Sequence, residues 1–175
     1  LESALLNIVN FQTLIATKAS RITLAAEGQE VVEFGLRRAQ GINGALAASR
    51  ASIIGGCSAT SNVLAGKCFD IPVRGTHAHS WVMSFPREEE AFRAYADLMP
   101  GNCIFLVDTY DSIEGVKKAI EVAKERSDKP FKMLGIRIDS GDLALLSIQV
   151  RKLLDEAGFT DAKIMATNEL DEFII

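Results

Sequence analysis

The chain has 175 residues, 48% of them hydrophobic and 24% charged, enough to bury a sizeable core. Its net charge is −4, and Lys and Arg are scattered apart from the Arg37-Arg38 pair, so no basic stripe exists for a phosphate backbone and nucleic-acid binding is not expected. No apolar run approaches the roughly 18 residues of a membrane span, and the opening stretch carries Glu2 without the basic segment of a signal peptide.

Leu5, Ile8, Phe11 and Ile15 recur at helical spacing, which predicts a long helix over residues 1–27 that Gly28 ends. Residues 31–34 predict a first strand, with Gly35 permitting a tight exit into Arg37 and Arg38. Residues 39–54 are Ala-rich and helical up to Gly55-Gly56. A short helix is expected from 61 to about 68 with Thr60 or Ser61 as its cap, and Asp70-Ile71-Pro72 then turns the chain into a second strand at 71–73.

Residues 81–85 predict the start of a helix that breaks at Pro86, and 88–99 the next, with Phe92, Tyr95, Ala96 and Met99 on one face. The apolar run 103–107 is the third expected strand. Asp111 and Glu114 form a capping-box-like pair before a helix that buries Ile113, Val116, Ile120 and Ala123. Residues 133–138 are the fourth strand and 164–166 the fifth. Between them lies a helix over 141–157 that Ser140 would cap, with Leu143, Leu146, Val150, Leu153 and Leu154 facing inward. Cys57, Cys68 and Cys103 are odd in number and lack C-x-x-C or zinc spacing, which points to reduced thiols in a cytoplasmic protein. Both ends read as cut, as in a piece of a longer enzyme.

The alternation β-α-β-α predicts an α/β fold with a parallel sheet, whose strands end on one rim. Neither G-x-G-x-x-G nor a P-loop follows a strand. A polar group follows every strand instead, including Thr109, Thr167 and Asn168, and this favours part of a barrel over a single switch point.

His77 and His79 are the only histidines, two apart just past a strand in Gly75-Thr76-His77-Ala78-His79-Ser80. Such a pair suits either a metal, as in amidohydrolase-like hydrolases, or one nucleophilic or proton-carrying His. The second role needs a carboxylate on the far ring nitrogen, and Asp108 at the next strand end is the candidate. Arg137 lies inside an apolar strand and must find an anion, because an unpaired buried charge is too costly. It shares a strand face with Asp139, so the two make either a structural pair or a site in which Arg meets a substrate anion and Asp a sugar hydroxyl. Phe34 and the two guanidinium forks at 37 and 38 add an aromatic and further anion-binding capacity.

Taken together, Glu33–Gln40, Ser61-Asn62-Val63-Leu64-Ala65-Gly66, Gly75-Thr76 through Ala78-His79-Ser80, Leu106-Val107-Asp108-Thr109-Tyr110-Asp111, Gly135–Asp142 and Asn168-Glu169-Leu170-Asp171-Glu172 resemble nicotinate phosphoribosyltransferase, in order and in spacing. The resemblance implies a type II phosphoribosyltransferase fold, an irregular, TIM-barrel-like (β/α) barrel. Residues 1–28 would be the helical connection from an N-terminal domain, and 29–175 the first barrel units. It implies formation of nicotinate mononucleotide and pyrophosphate from nicotinate and phosphoribosyl pyrophosphate, coupled to ATP hydrolysis through a phosphohistidine, in NAD biosynthesis. ATP and Mg²⁺ enter as substrate complexes, with no direct protein ligation of metal, and the full-length protein is expected to be a cytoplasmic homodimer.

By the same resemblance His79 is the phosphorylated residue, Asp108 orients it, and His77 has no catalytic role. Phe34 stacks on the pyridine ring, Arg37 belongs to the substrate site, Arg137 lies near the ring or its carboxylate, and Asp139 contacts ribose. Gly75 and Thr76 allow close approach of phosphates, Ser140 belongs to the substrate-binding stretch, and Asn62 stands where nicotinamide-using relatives are expected to carry an acid. The segment for the ribose 5′-phosphate is expected beyond residue 175, so the piece alone should be inactive. The rivals are the metal hydrolase on His77 and His79 and a non-catalytic nucleotide-binding remnant. Within the same fold, nicotinamide or quinolinate could replace nicotinate.

Overall fold

The computed structural model describes every residue except Lys129. Its contacts group the chain into two units, Leu1–Gly75 with Leu170–Ile175, and Thr76–Glu169.

In the first unit, helix α1 (Glu2–Ala25) ends where Glu27 and Gly28 take positive φ angles of 48° and 87°. It packs against α2 (Gly41–Ile54), and the crossing is close at Gly55, where a Cβ would lie 2.4 Å from the Ala16 carbonyl oxygen. Strand β1 (Val32–Glu33) pairs in parallel with β2 (Ala59–Thr60), and a 3-10 turn over Gly35–Arg38 follows β1 directly.

The expected second strand at 71–73 is reduced to a single bridge between Thr60 and Val73. Pro72 offers its carbonyl to the Thr60 N–H but has no N–H to return, so the ladder cannot extend. The strand that does pair, β2, is two residues long, too short to show any alternation. Helix α3 (Val63–Phe69) is capped by Asn62 and not by Thr60 or Ser61, because the Ala65 N–H donates to Asn62 Oδ1 at 3.2 Å. Thr60 faces inward and spends its hydroxyl on Glu33.

The second unit runs α4 (His79–Met83), α5 (Glu88–Leu98), β3 (Cys103–Leu106), α6 (Ser112–Lys124), β4 (Met133–Ile138), α7 (Leu143–Glu156) and β5 (Lys163–Ala166). The strands pair in parallel in the order β3-β4-β5, each crossover passing through a helix. Phe92, Phe105, Val107, Val116, Ile136, Ile138, Val150 and Leu154 form the core between sheet and helices. Each such side chain contributes roughly 1.5–3 kcal/mol on removal from water.

Met99 departs from its expected place, since α5 ends at Leu98 and leaves it 38% exposed. The cap of α7 is Asp142, whose Oδ1 accepts from the Leu145 N–H, and Ser140 is released for another partner. Among the described residues the strands make these two parallel sheets and no closed barrel. No helix among them is long and apolar enough to cross a membrane.

Candidate active site

Parallel pairing in register places Asp108, Asp139 and Thr167 just past the C-terminal ends of β3, β4 and β5, with Arg137 one residue inside the end of β4. Backbone bonds from Val107 N–H to the Arg137 carbonyl and from Thr167 N–H to the Ile138 carbonyl carry the ladder to that rim. His79 reaches the rim from the first turn of α4.

Arg137 is 9% exposed, and its guanidinium is knitted into the rim. Nε donates to Thr167 Oγ1 at 2.8 Å, Nη1 to Thr76 Oγ1 at 3.1 Å and Nη2 to Asp139 Oδ1 at 2.9 Å. The alternation expected from Arg137-Ile138-Asp139 therefore holds, with both charges on one side. Thr167 Oγ–H donates to the same Asp139 oxygen. Burial pushes the Asp139 carboxyl up, but the Thr167 bond and the Arg137 charge outweigh it, and its pKa lies below the ordinary value.

Asp108 has a side chain only 1% exposed. Its Oδ2 accepts from the Asp139 N–H at 2.9 Å and from Ser140 Oγ at 2.6 Å. Its Oδ1 has no hydrogen-bond partner among the described residues and faces His79 Nε2 at 3.9 Å. Asp139 Oδ2 lies 3.5 Å from the same nitrogen, while Nδ1 sits 3.1 Å from Thr109 Oγ1. Two carboxylates facing Nε2 favour the proton there and leave the Nδ1 lone pair to accept from the Thr109 hydroxyl. The arrangement is a nucleophile-capable imidazole supported by carboxylates, beside a buried guanidinium.

His77 is used differently. It is 7% exposed, its ring meets Tyr95 edge-on at 4.7 Å, and its Nε2 accepts the Leu106 N–H at 3.1 Å. Burial, with the positive charge of Arg137 adding to it, holds its pKa down at about 4, so the ring is neutral. His77 Nε2 is thus already taken up by the backbone, and among the described residues no three His, Cys, Asp or Glu side chains gather as a metal site. Burial likewise pushes the Cys57 and Cys103 thiols up, to about 11 and 12, which makes both inert.

The second unit thus gathers Thr76, His79, Asp108, Arg137, Asp139 and Ser140, and adds Thr109 and Thr167. The sequence displayed those two threonines after strands, but nothing local distinguished them from ordinary loop residues. The first unit carries Phe34 at the entry to the 3-10 turn, Arg37 within it, Asn62 at the α3 cap and Gly75 at its edge. Asn62 is 3% exposed; its Oδ1 caps α3 and its Nδ2 donates to Ser49 Oγ at 3.2 Å. Among the described residues, no atom beyond its own chain neighbours lies within 4 Å of where a Gly75 Cβ would stand.

The strand ends of a parallel α/β unit thus gather a histidine, a buried arginine and two carboxylates on one rim. No family model matches the chain. It is 56% identical over its whole length to nicotinate phosphoribosyltransferase of Bacillus subtilis, and 44% identical over 98% of its length to one from Mycobacterium tuberculosis. The crystal structure of human nicotinic acid phosphoribosyltransferase superimposes with a TM-score of 0.87 over 99% of the chain at 30% identity, covering 46% of the human chain. Nicotinate-nucleotide pyrophosphorylase from Pyrococcus furiosus follows at 0.81 and 26% identity, over 94% of the chain and 42% of its own. On this similarity the chain belongs to the nicotinate phosphoribosyltransferase family, and it spans 36% of the length of the Bacillus and Mycobacterium relatives.

Proposed function

We propose that the chain carries the phosphohistidine centre and part of the substrate site of a nicotinate phosphoribosyltransferase, which makes nicotinate mononucleotide and pyrophosphate from nicotinate and phosphoribosyl pyrophosphate. The observation that carries this reading is the rim cluster of His79 with Asp108, Asp139 and Arg137, in a chain 56% identical throughout to a relative of that name.

In this reading His79 Nδ1 attacks the γ-phosphorus of ATP. An N–P bond forms, the Pγ–O bond to ADP breaks, and the Nε2 proton stays between Asp108 and Asp139, whose charges stabilise the developing imidazolium. The Thr109 hydroxyl yields its place on Nδ1 to the phosphoryl group. Phosphorylation adds negative charge and acceptor oxygens beside the rim. Mg²⁺ accompanies ATP and pyrophosphate as part of those substrates and neutralises the leaving group.

Arg137 supplies positive charge for the nicotinate carboxylate, and Asp139, one oxygen of which remains directed at the site, contacts the ribose as its anomeric carbon gains positive character. Ser140 and Thr76 frame the phosphates beside Gly75. Phe34 stacks on the pyridine ring, Arg37 binds an anion, and Asn62 bears on the choice between nicotinate and nicotinamide. The sequential strand order β3-β4-β5 supports a (β/α) barrel completed by the rest of a longer protein, with residues 1–28 leading in from another domain and 29–175 supplying barrel units. We place that protein in the cytoplasm as a homodimer; three free cysteines suit a reducing compartment.

The test is incubation of the full-length protein with γ-labelled ATP. The expected result is an acid-labile phosphoryl adduct that disappears in His79→Ala while the circular dichroism spectrum is kept. Undiminished labelling of that variant would sink the assignment.

A further inference from the structure

The carboxylate of Glu33 stands outside every role assigned so far, yet it is the hub of a network in the first unit. Its Oε2 accepts from Ser49 Oγ at 3.0 Å and from Thr60 Oγ1 at 2.6 Å. Ser49 and Thr60 are 1% and 0% exposed, and Ser49 also receives the Asn62 amide. The other oxygen, Oε1, folds back on the N–H of Gly35, the first residue of the 3-10 turn. The fold-back is close: a Cβ at Gly35 would meet Oε1 at 2.9 Å, a contact the flexible end of the side chain would have to yield. The Glu33 carbonyl accepts the Ser61 N–H at 2.9 Å, which ties the same residue to the segment after β2.

Phe34 therefore lies between two pinned residues. Residue 33 is held through its side chain and carbonyl, residue 35 through its N–H, and Arg37 follows within the same short turn. An ionised carboxylate is the acceptor that suits this place, because it can take three donors at once and its bonds are stronger than those of a neutral group. Surface pairing does not explain it, since its hydroxyl partners are buried.

We propose that Glu33 is a positioning residue for the pyridine substrate: its carboxylate, bonded to Gly35, Ser49 and Thr60, fixes the aim of Phe34 and Arg37. The proposal rests on the reading that Phe34 and Arg37 meet that substrate. Gln at 33 keeps one acceptor for Gly35 and can donate to a rotated hydroxyl, so it retains part of the anchor; Ala retains none.

The experiment uses full-length protein with steady-state kinetics and hydrogen exchange over residues 33–38. In Glu33→Ala the KM for nicotinate should rise about tenfold, as expected for a contact displaced by a fraction of an ångström. The KM for phosphoribosyl pyrophosphate should stay within about twofold, since the displaced contact is to the other substrate. Glu33→Gln should fall between Glu33→Ala and wild type, and exchange of the 33–38 amides should quicken in the same order. If Glu33→Ala does not fold, Glu33→Gln and Ser49→Ala carry the same graded expectation. Equal rises in both KM values, or an unchanged nicotinate KM beside a raised one in Phe34→Ala, overturn the proposal alone. An unchanged nicotinate KM in Phe34→Ala itself overturns the substrate reading, and the positioning role with it.

Discussion

Arg137 is bound into the rim by three side-chain hydrogen bonds and, under the proposed function, also meets the substrate. Its three rim bonds offset the desolvation of a charge that is 9% exposed, and the same bonds point it and Asp139 along the strand end. Arg137→Ala leaves Asp139 without its cation. We expect a loss of roughly 2–3 kcal/mol, below the full cost for a buried pair because Asp139 keeps some contact with water. Urea denaturation measures this, and single-turnover kinetics per folded molecule should fall as well; a stability loss with unchanged chemistry would leave Arg137 a purely structural residue. Asn62 makes a related case. Its amide shares Ser49 with Glu33, and a serine hydroxyl has one proton to give. Asn62→Asp would set a second carboxylate against that oxygen, at a cost of about 1–2 kcal/mol. It should also lower nicotinate use relative to nicotinamide in a competition at equal concentrations; an unchanged ratio would remove Asn62 from selectivity.

Among the elements, α6 docks closely on the exit of β3. At Gly115 a Cβ would lie 1.9 Å from the carbonyl oxygen of Val107, the residue before Asp108, so the helix docks on β3's exit through a glycine. Gly115→Ala must lift the helix or shift that backbone, and we expect it to cost about 1–3 kcal/mol in stability despite alanine's better helix propensity. Thermal or urea unfolding decides this, and a neutral or stabilising effect would show that the contact relaxes freely. The caps obey simpler rules. Asp111 caps α6 and Asp142 caps α7, each through the backbone N–H three residues on, while Ser140 passes over the cap and donates to Asp108.

For the molecule as a whole, the acid limit of stability should be set largely by His77. In the unfolded chain it titrates near its ordinary 6.5, whereas in the folded protein it stays neutral down to about 4. Between those values the unfolded state binds a proton that the folded state refuses. Stability therefore falls as pH drops through this window, by up to about 3 kcal/mol. Asp139, whose pKa is lowered, contributes stability that is present above the ordinary carboxylate range and is lost only at still lower pH. His77→Gln, which can still accept from the Leu106 N–H, should flatten the profile between pH 7 and 5 in urea titrations; an equal loss in wild type and variant would assign the acid sensitivity elsewhere.

Order and placement were local matters, and the sequence determined them. Apolar runs at 103–107 and 133–138, helical spacing after each, and Asp108, Arg137 and Asp139 beside the strand ends depend on residues within a turn or two of one another. So did the Asp111 cap and the shared side of Arg137 and Asp139. Partners were another matter. The Thr109 and Thr167 hydroxyls, the withdrawal of Ser140 from its helix, the burial of His77 against Tyr95 and the grip of Glu33 on Ser49 and Thr60 join groups on different elements. The pairing of 59–60 where 71–73 was expected belongs with them, because it turned on Pro72 having no N–H to offer. Such contacts are set by the parallel register and by which way each loop turns, and only tertiary packing fixes those.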